Sequence, residues 1–411
     1  MAKWEFVAYE TLASEERSSF SMGPFGSKIT KENYVAEGVP VIRGVNLARG
    51  IFVDDDFVFI TEEKADEILP ANVAPGDLIF THRGTIGQVS MLPRNPRFDR
   101  YVIGSSQVKT RLCLKKAVPE FYFYWFQSEA GRRSILENAS TVGVPGIATP
   151  LTSIRNLKVP LPSLAEQEAV VDVLGALDDK IAVNERIAAT YEQLLQCRFA
   201  ELGLGDEPDG DSEIPITDLI AFNPKLSKPA AAEPVYVDMA ALQTNRAGIP
   251  AWTRREPKSG PRFMNGDTLM ARITPCLENG KTGYVDFMED GEIGLGSTEF
   301  IVLRSLPGVP SELSYFLARD SRFREHAIRN MVGSSGRQRV SAADASNYSV
   351  RSPDTEQLTA FGKEASAAFA HMKSLESESR ALAALRDTLL PQLMSGRLRV
   401  KDAEKIVEDH V

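Results

Sequence analysis

The stretch "PLPSLAEQEAVVDVLGALDDKI" at residues 160–181 is written a second time, in degraded form, as "RSPDTEQLTAFGKEASAAFAHM" at residues 351–372. A repeat with a period of about 190 residues constrains the fold more than any single motif, because each copy is expected to build the same unit. The landmarks between the copies keep a common order. "VPVIRGVNL" (39–47) meets "EPVYVDMAAL" (233–242), and "GDLIFTHRG" (76–84) meets "GDTLMARIT" (266–274). In the latter pair a Gly-Asp turn leads into an apolar strand that ends at Arg83 in one copy and Arg272 in the other. "SSQVKTRL" (105–112) meets "STEFIVLR" (297–304), and the aromatic-rich helical patterns at 123–135 and 314–327 correspond. Gly-containing loops follow, "TVGVPGIAT" (141–149) and "MVGSSGRQRVS" (331–341).

Each copy reads as short strands with interspersed helices, closed by one long helix. Pro160 and Pro162 end a strand, Ser163 is placed to cap the helix, and Glu166 three residues on completes a capping box. Asp354 and Gln357 take similar places in the second copy. Val170, Leu174, Leu177, Ile181, Asn184, Ala188, Tyr191 and Leu195 step by three and four. So do Leu358, Phe361, Ala365, Ala368, Met372, Leu375, Ser379, Leu382, Leu389 and Leu393, with one break near Arg386. Such seams call for a partner helix, and the simplest partner of each is the other. Glu166, Gln167, Leu174, Leu177, Ile181, Tyr191 and Leu195, with Gln357, Leu358, Phe361, Met372, Leu375, Leu382 and Leu389, are the expected helix-pairing and docking positions.

The expected fold is therefore a tandem of α/β (α+β) domains separated by two long helices in an antiparallel coiled coil, a pseudo-two-fold internal repeat. Blocks are expected at 1–160 and 214–352, helical regions at 161–202 and 353–400, an acidic Gly/Pro-bearing linker at 203–213 and a tail at 401–411. A helix of roughly 35 residues is about 50 Å long, so the pair can act as a ruler between the blocks. The competing reading is an ordinary helical hairpin inside a core, which the repeat disfavours.

The net charge of −9 argues against a nucleic-acid partner only until it is located. Residues 1–160 carry 19 Lys and Arg against 18 Asp and Glu, and 214–352 carry 17 against 15. Residues 161–213 carry 3 against 13, and 353–411 carry 8 against 10. The acidity belongs to the connecting segments. No window approaches the ~20 apolar residues of a membrane span, and the first residues lack a leader's apolar core, so a cytoplasmic chain without a membrane partner is expected. Cys113, Cys197 and Cys276 fit neither a disulfide framework nor a zinc knuckle. The histidines at 82, 326, 371 and 410 do not cluster, and His82, at a strand end, reads as a satisfied structural residue. No phosphate-binding loop, dinucleotide turn, base-flipping [DN]PP[YF] pocket or PD…(D/E)xK nuclease core is present. "FNPK" (222–225) holds only an Asn-Pro, which more often starts a turn. A chain without catalysis of its own is expected.

The "P-L-P-x-x-x-E-Q" mark at Pro160, Leu161, Pro162, Glu166 and Gln167, its reduced form at Pro353, Glu356 and Gln357, and "LRDTLLPQLMSGRLRV" (385–400), read as a last helix, resemble the DNA specificity subunit of type I restriction-modification systems. "SMGPFGSKIT", "GVPVIRGVNL" and "GDLIFTHRGTIGQV" look like segments of its target-recognition domains. The second block departs from this pattern, opening with "DLIAFNPKLS" in place of a "GPFGS" loop, so the two blocks are expected to read different sequences.

The resemblance implies double-stranded DNA as ligand, with each block reading half of a bipartite asymmetric site. It further implies two methyltransferase subunits held against the helices, and restriction or translocase subunits as additional partners. No cofactor is implied on this chain, S-adenosylmethionine belonging to the methyltransferase partner. Arg, Lys, Asn and Gln read base edges, while other basic and hydroxyl groups hold phosphates. Beside the Gly-rich loops the candidates are Ser27, Lys28, Arg43, Asn46, Arg83, Thr85, Gln107 and Lys109 in block one. In block two they are Arg254, Arg255, Lys258, Arg272, Lys281, Arg337, Gln338 and Arg339. The bland alternative for any one is a solvated surface charge; the alternative for the whole chain is a coiled-coil scaffold with two protein-binding domains and no DNA role.

Overall fold

Short β-branched and apolar runs bounded by turns build the first block. In the computed structural model, which describes residues 4–25, 28–140, 143–207, 210, 212–256, 259–334 and 336–408, its strands are β1 (Glu5–Ala8), β2 (Phe20–Met22), β3 (Val39–Ile42), β4 (Val58–Ile60), β5 (Asn72–Val73), β6 (Leu78–Thr81), β7 (Val89–Met91), β8 (Tyr101–Ile103), β9 (Gln107–Thr110), β10 (Ala139–Ser140), β11 (Gly146–Ile147) and β12 (Lys158–Leu161). Helices α1 (Glu62–Glu67), α2 (Pro119–Gln127), α3 (Glu129–Leu136), α4 (Pro150–Arg155) and α5 (Leu164–Glu201) accompany them. Two four-stranded sheets form, ordered β2-β9-β6-β7 and β4-β3-β8-β5, and β1 closes the block against β12. The second sheet contains one parallel pair, β3 with β8. Val39, Val41, Ile42, Ile60, Val102 and Ile103 line its core, all at most 1% exposed.

The second block has the same topology built from different residues. Its strands are β13 (Glu213–Pro215), β14 (Ile220–Phe222), β15 (Val235–Val237), β16 (Thr253–Arg254), β17 (Arg262–Phe263), β18 (Thr268–Ala271), β19 (Thr282–Tyr284), β20 (Gly294–Gly296), β21 (Phe300–Ser305) and β22 (Ser349–Arg351), with α6 (Leu313–Arg319), α7 (Ser321–Arg329) and α8 (Ala342–Ser346). The sheets run β14-β21-β18-β19 and β16-β15-β20-β17, with β13 paired to β22. Again one pair is parallel, β15 with β20. The tandem repeat read from the sequence is thus present in both four-stranded sheets and the closing pair, while among the described residues the β10–β11 pair of the first block is answered in the second by a single bridge, Val332 with Arg339.

One polar device recurs in both blocks. Gly76 and Gly266 each adopt φ +86°, a left-handed turn that a residue with a Cβ resists. The aspartate that follows caps this turn: Asp77 accepts from the Ala74 N–H at 2.9 Å and Asp267 from the Met264 N–H at 2.8 Å. Each buried carboxylate also holds an arginine of the neighbouring strand by two bonds, Arg111 at 2.8 Å from both oxygens and Arg304 at 2.6 Å from both. Fork-on-carboxylate pairing satisfies charges that would otherwise be costly to bury.

Helices α5 and α9 (Thr355–Met394) are long and pack together antiparallel. The chain divides into two units, residues 1–180 with 381–411, and residues 181–380, so each unit holds one segment of both helices. In the first unit Arg386 reaches Asp178 at 2.6 Å, which accounts for the break in the apolar pattern. In the second, Asn184 donates to Glu378 at 2.7 Å and Ser379 at 3.3 Å, His371 meets the Tyr191 hydroxyl at 3.1 Å, and Arg198 lies 3.3 Å from Glu364. Leu174, Leu177 and Leu195 are fully buried, and Leu358, Phe361, Met372, Leu375, Leu382 and Leu389 are at most 9% exposed; Ile181 and Tyr191 are half-buried. The capping box forms in both directions, Glu166 N–H to Ser163 Oγ at 3.3 Å and Ser163 N–H to Glu166 Oε2 at 3.0 Å.

The C-terminus differs from the expectation of a helix at 385–400 and a tail. Residues 385–394 are the end of α9, which stops at a left-handed Gly396, and Val400–Glu408 forms α10 with Ala403 and Val407 buried. Ala403 and Val407, four residues apart, are a signal too short to carry a helix assignment from sequence.

Candidate nucleic-acid interface

The two Gly-rich hairpins sit at the same backbone position. The N–H of His82, just past β6, donates to Ser106 O at 2.9 Å, and that of Arg272, just past β18, donates to Glu299 O at 3.0 Å. The carbonyl of His82 accepts from Ile147 N at 2.9 Å, and that of Arg272 from Val340 N at 3.0 Å. The following residue bridges to the hairpin in both, Arg83 with Gly146 and Ile273 with Arg339. The counterpart of Arg272 is therefore His82, as the register of "GDLIFTHRG" against "GDTLMARIT" has it, and the Arg83 read as the strand end of the first copy lies one residue further, in the place of Ile273.

In the second block this strand end opens on a cleft of about 330 Å³ lined by Asn223, Pro224, Gly260, Pro261, Arg262, Arg272, Thr298 and Phe300. Beside it Arg339 grips Glu299 with a fork of three bonds between 2.7 and 3.0 Å. Those bonds, with the charge of Arg272, hold the Glu299 carboxyl below the usual carboxylate range. Arg337 is exposed at the tip and offers its carbonyl to Arg339, while Gln338 is half-buried and pairs with Thr274 through its backbone. In the first block the same place is uncharged at its base. His82 is 5% exposed, its Nε2 lies 3.2 Å from Ser105 O, and Phe25 meets its ring edge-on. Burial pushes its pKa down, so the ring is neutral at pH 7.

Several sequence-chosen residues prove to be framework. Asn46 is fully buried, accepting from Arg43 N at 2.9 Å and donating to Val53 O and Asp55 O, so it clamps its own loop. Gln107 is 2% exposed, its amide lying 3.2 Å from Gly104 O, Ile42 O and Gly44 N. Lys109 is 2% exposed and donates to Asn72 O, burial lowering its pKa. Lys281 is half-buried and bonds Met239 O at 3.0 Å. Asn46, Gln107 and Lys109 are buried and spent on the backbone, away from any base edge, whereas Lys281 keeps part of its side chain in solvent; in sequence a buried amide looks the same as an exposed one. Arg43 lies half-buried with its guanidinium on Asp56 O at 2.8 Å.

Lys28, Arg83 and Thr85 are exposed in the first block. Arg254 and Arg255 are exposed in the second, the former 2.7 Å from Glu292 and the latter 3.2 Å above the centre of the Tyr236 ring. Ser27 and Lys258 lie outside the described residues. Glu299 and Tyr236, which orient Arg339 and Arg255, escaped the sequence reading because it sought donors and not the groups that aim them.

The glutamines at the two helix starts differ. Gln167 is fully buried: its Oε1 accepts from Val118 N at 2.8 Å, and its Nε2 donates to Pro162 O at 3.0 Å and Lys116 O at 3.4 Å. It ties α2 to α5 within the block and presents nothing to a partner, and Glu166 beside it is a cap. Gln357 is exposed, and its N–H is capped by Asp354 at 2.9 Å. Among the described residues no group of His, Cys, Asp and Glu is arranged to hold a metal ion, and no helix is long and apolar enough to cross a membrane.

Comparison with known proteins matches this arrangement. Residues 25–193 fit the family profile of the type I restriction modification DNA specificity domain. The specificity subunit of the type I restriction enzyme EcoEI from Escherichia coli is 27% identical over 212 residues, which are 49% of this chain and 35% of that protein. The EcoAI specificity subunit of the same organism is 30% identical over 141 residues, 32% of this chain and 23% of that protein. The matched region thus spans about a third or less of these relatives. The crystal structure of the S subunit of a type I restriction-modification system from M. genitalium shares the fold, with a TM-score of 0.55 at 15% identity over 95% of this chain and 96% of that one. Part of the chain, residues 25–193, thus fits the profile of the type I restriction modification DNA specificity domain, and the chain is similar to the specificity subunits of type I restriction enzymes.

Proposed function

We propose that this chain supplies sequence specificity to a type I restriction-modification complex without catalysing a reaction itself. Each block reads one half of a bipartite, asymmetric DNA site, and the antiparallel α5–α9 pair sets the distance between the halves and docks two methyltransferase subunits. The observation that carries this reading is a duplicated strand topology furnished with different side chains at the same place, His82 in one block and Arg272 in the other. Two readers of one architecture and unlike chemistry suit two unlike half-sites. At 38 residues α5 is about 57 Å long, more than the ~35 Å of one DNA turn, so the helices are long enough to act as a ruler. S-adenosylmethionine is bound by the methyltransferase partner, and restriction or translocase subunits join the same complex. The acidity of residues 161–213 suits a basic protein surface better than DNA.

The test is selection from a randomised duplex library by the full chain assembled with its methyltransferase. Enrichment of two short, unlike motifs at a fixed separation is the expected result. A single continuous motif, or binding without sequence preference, contradicts the proposal and favours the protein-binding scaffold.

A further inference from the structure

Among the described residues three arginines, Arg43, Arg272 and Arg324, have an enclosed Nε with no hydrogen-bond partner. Two of them are anchored by a terminal nitrogen, Arg43 on Asp56 O at 2.8 Å and Arg324 on Glu278 O at 2.6 Å. Arg272 differs: among the described residues its guanidinium makes neither a hydrogen bond nor an ion pair, although it lines the cleft at the end of β18. The carboxylate that feels its charge, Glu299, is already held in the fork of Arg339. An arginine that is partly desolvated and left without an acceptor is costly to the folded chain, and a ligand that brings an acceptor recovers that cost on binding. Planar bidentate donation to a guanine edge or a phosphate is the chemistry that guanidinium performs best.

The cleft walls suit such an approach. Gly260 and Pro261 line it beside Gly296, whose N–H donates to Pro261 O at 2.9 Å, and the Asn223 side chain accepts from Val302 N at 2.9 Å. In the first block the position is filled: His82 is buried, its ring nitrogen is on Ser105 O, and Phe25 meets its ring edge-on.

We propose that Arg272 is a DNA contact of the second block, donating its guanidinium to an acceptor of duplex DNA that enters this cleft, and that the equivalent position of the first block, His82, makes no such contact. The inference rests on the DNA-reading function above. The acceptor is either a base edge or a backbone phosphate, and the experiment separates them.

The full chain with its methyltransferase is tested on a randomised bipartite library and on the selected duplex over a range of salt, as wild type, R272A and R272K, with thermal melts of each. If Arg272 reads a base, R272A relaxes one position of one half-site, lowers preference for its base about 5- to 150-fold, and R272K does not restore it. If it holds a phosphate, R272A weakens all sequences alike, the salt slope falls by about one, and R272K restores most of the binding. Should R272A melt early, R272Q, which keeps much of the side chain without the charge, takes its place. Unchanged preference, affinity and salt slope in a folded variant overturn the inference alone. A wild-type complex that selects no bipartite sequence overturns the specificity reading and this inference with it.

Discussion

Asp77 and Asp267 show how one residue can serve two links at once, because each caps a left-handed glycine turn and neutralises an arginine on the adjacent strand. The turn was legible in "GD" alone, whereas the arginines lie 34 and 37 residues away and only the sheet brings them back. His82 has the opposite character, a buried group that costs the fold a proton. Its pKa is pushed below the ordinary 6.5 by burial, so the native state binds fewer protons than the unfolded chain as pH falls. The stability linked to His82 is therefore fully present above pH ~6.5 and lost as pH drops through that value toward the folded pKa. Denaturant midpoints at pH 7.5 and 5.0 should fall further in wild type than in His82→Gln, and equal losses in the two would contradict this account. Position 82 was readable as structural from the strand end, and its register with Arg272 follows from the matched Gly-Asp turns; what the sequence did not show is that one of the pair is buried and the other lines a cleft.

At the scale of elements, the two long helices were readable because apolar residues three and four apart can only bury a stripe by pairing. Asn184 and Arg386 interrupt that stripe, and both find their partners across the seam, Glu378 and Ser379 for one and Asp178 for the other. The helix starts were read as two versions of one motif, but they work differently. Gln167 satisfies three backbone groups under α2, while Gln357 is exposed. Gln167→Ala should destabilise the chain by about 1 to 3 kcal/mol, because the Val118 N–H is left without its acceptor in a buried place. Gln357→Ala should stay within roughly 0.5 kcal/mol of wild type. Equal costs in chemical denaturation would show that the second helix start depends on its glutamine as the first does. What the sequence could not separate was the use of a motif from its form, since the donor Val118 N–H and the acceptor Lys116 O that Gln167 meets stand some 50 residues earlier, just ahead of α2.

The whole molecule is one architecture used twice with different furnishings. The same strand orders and the same parallel pair recur in the two units, yet a neutral ring stands at the hairpin base of one and an unpaired guanidinium at that of the other. A duplicated reader that kept identical side chains would suit a symmetric site; divergence at equivalent positions suits an asymmetric one. The measurement that bears most directly on this claim is a genome-wide map of methylated adenines in the source cell with and without the gene for this chain. The account predicts that deletion removes methylation from one split motif whose two halves differ. An unchanged map, in cells shown to express this chain and its methyltransferase, would contradict it.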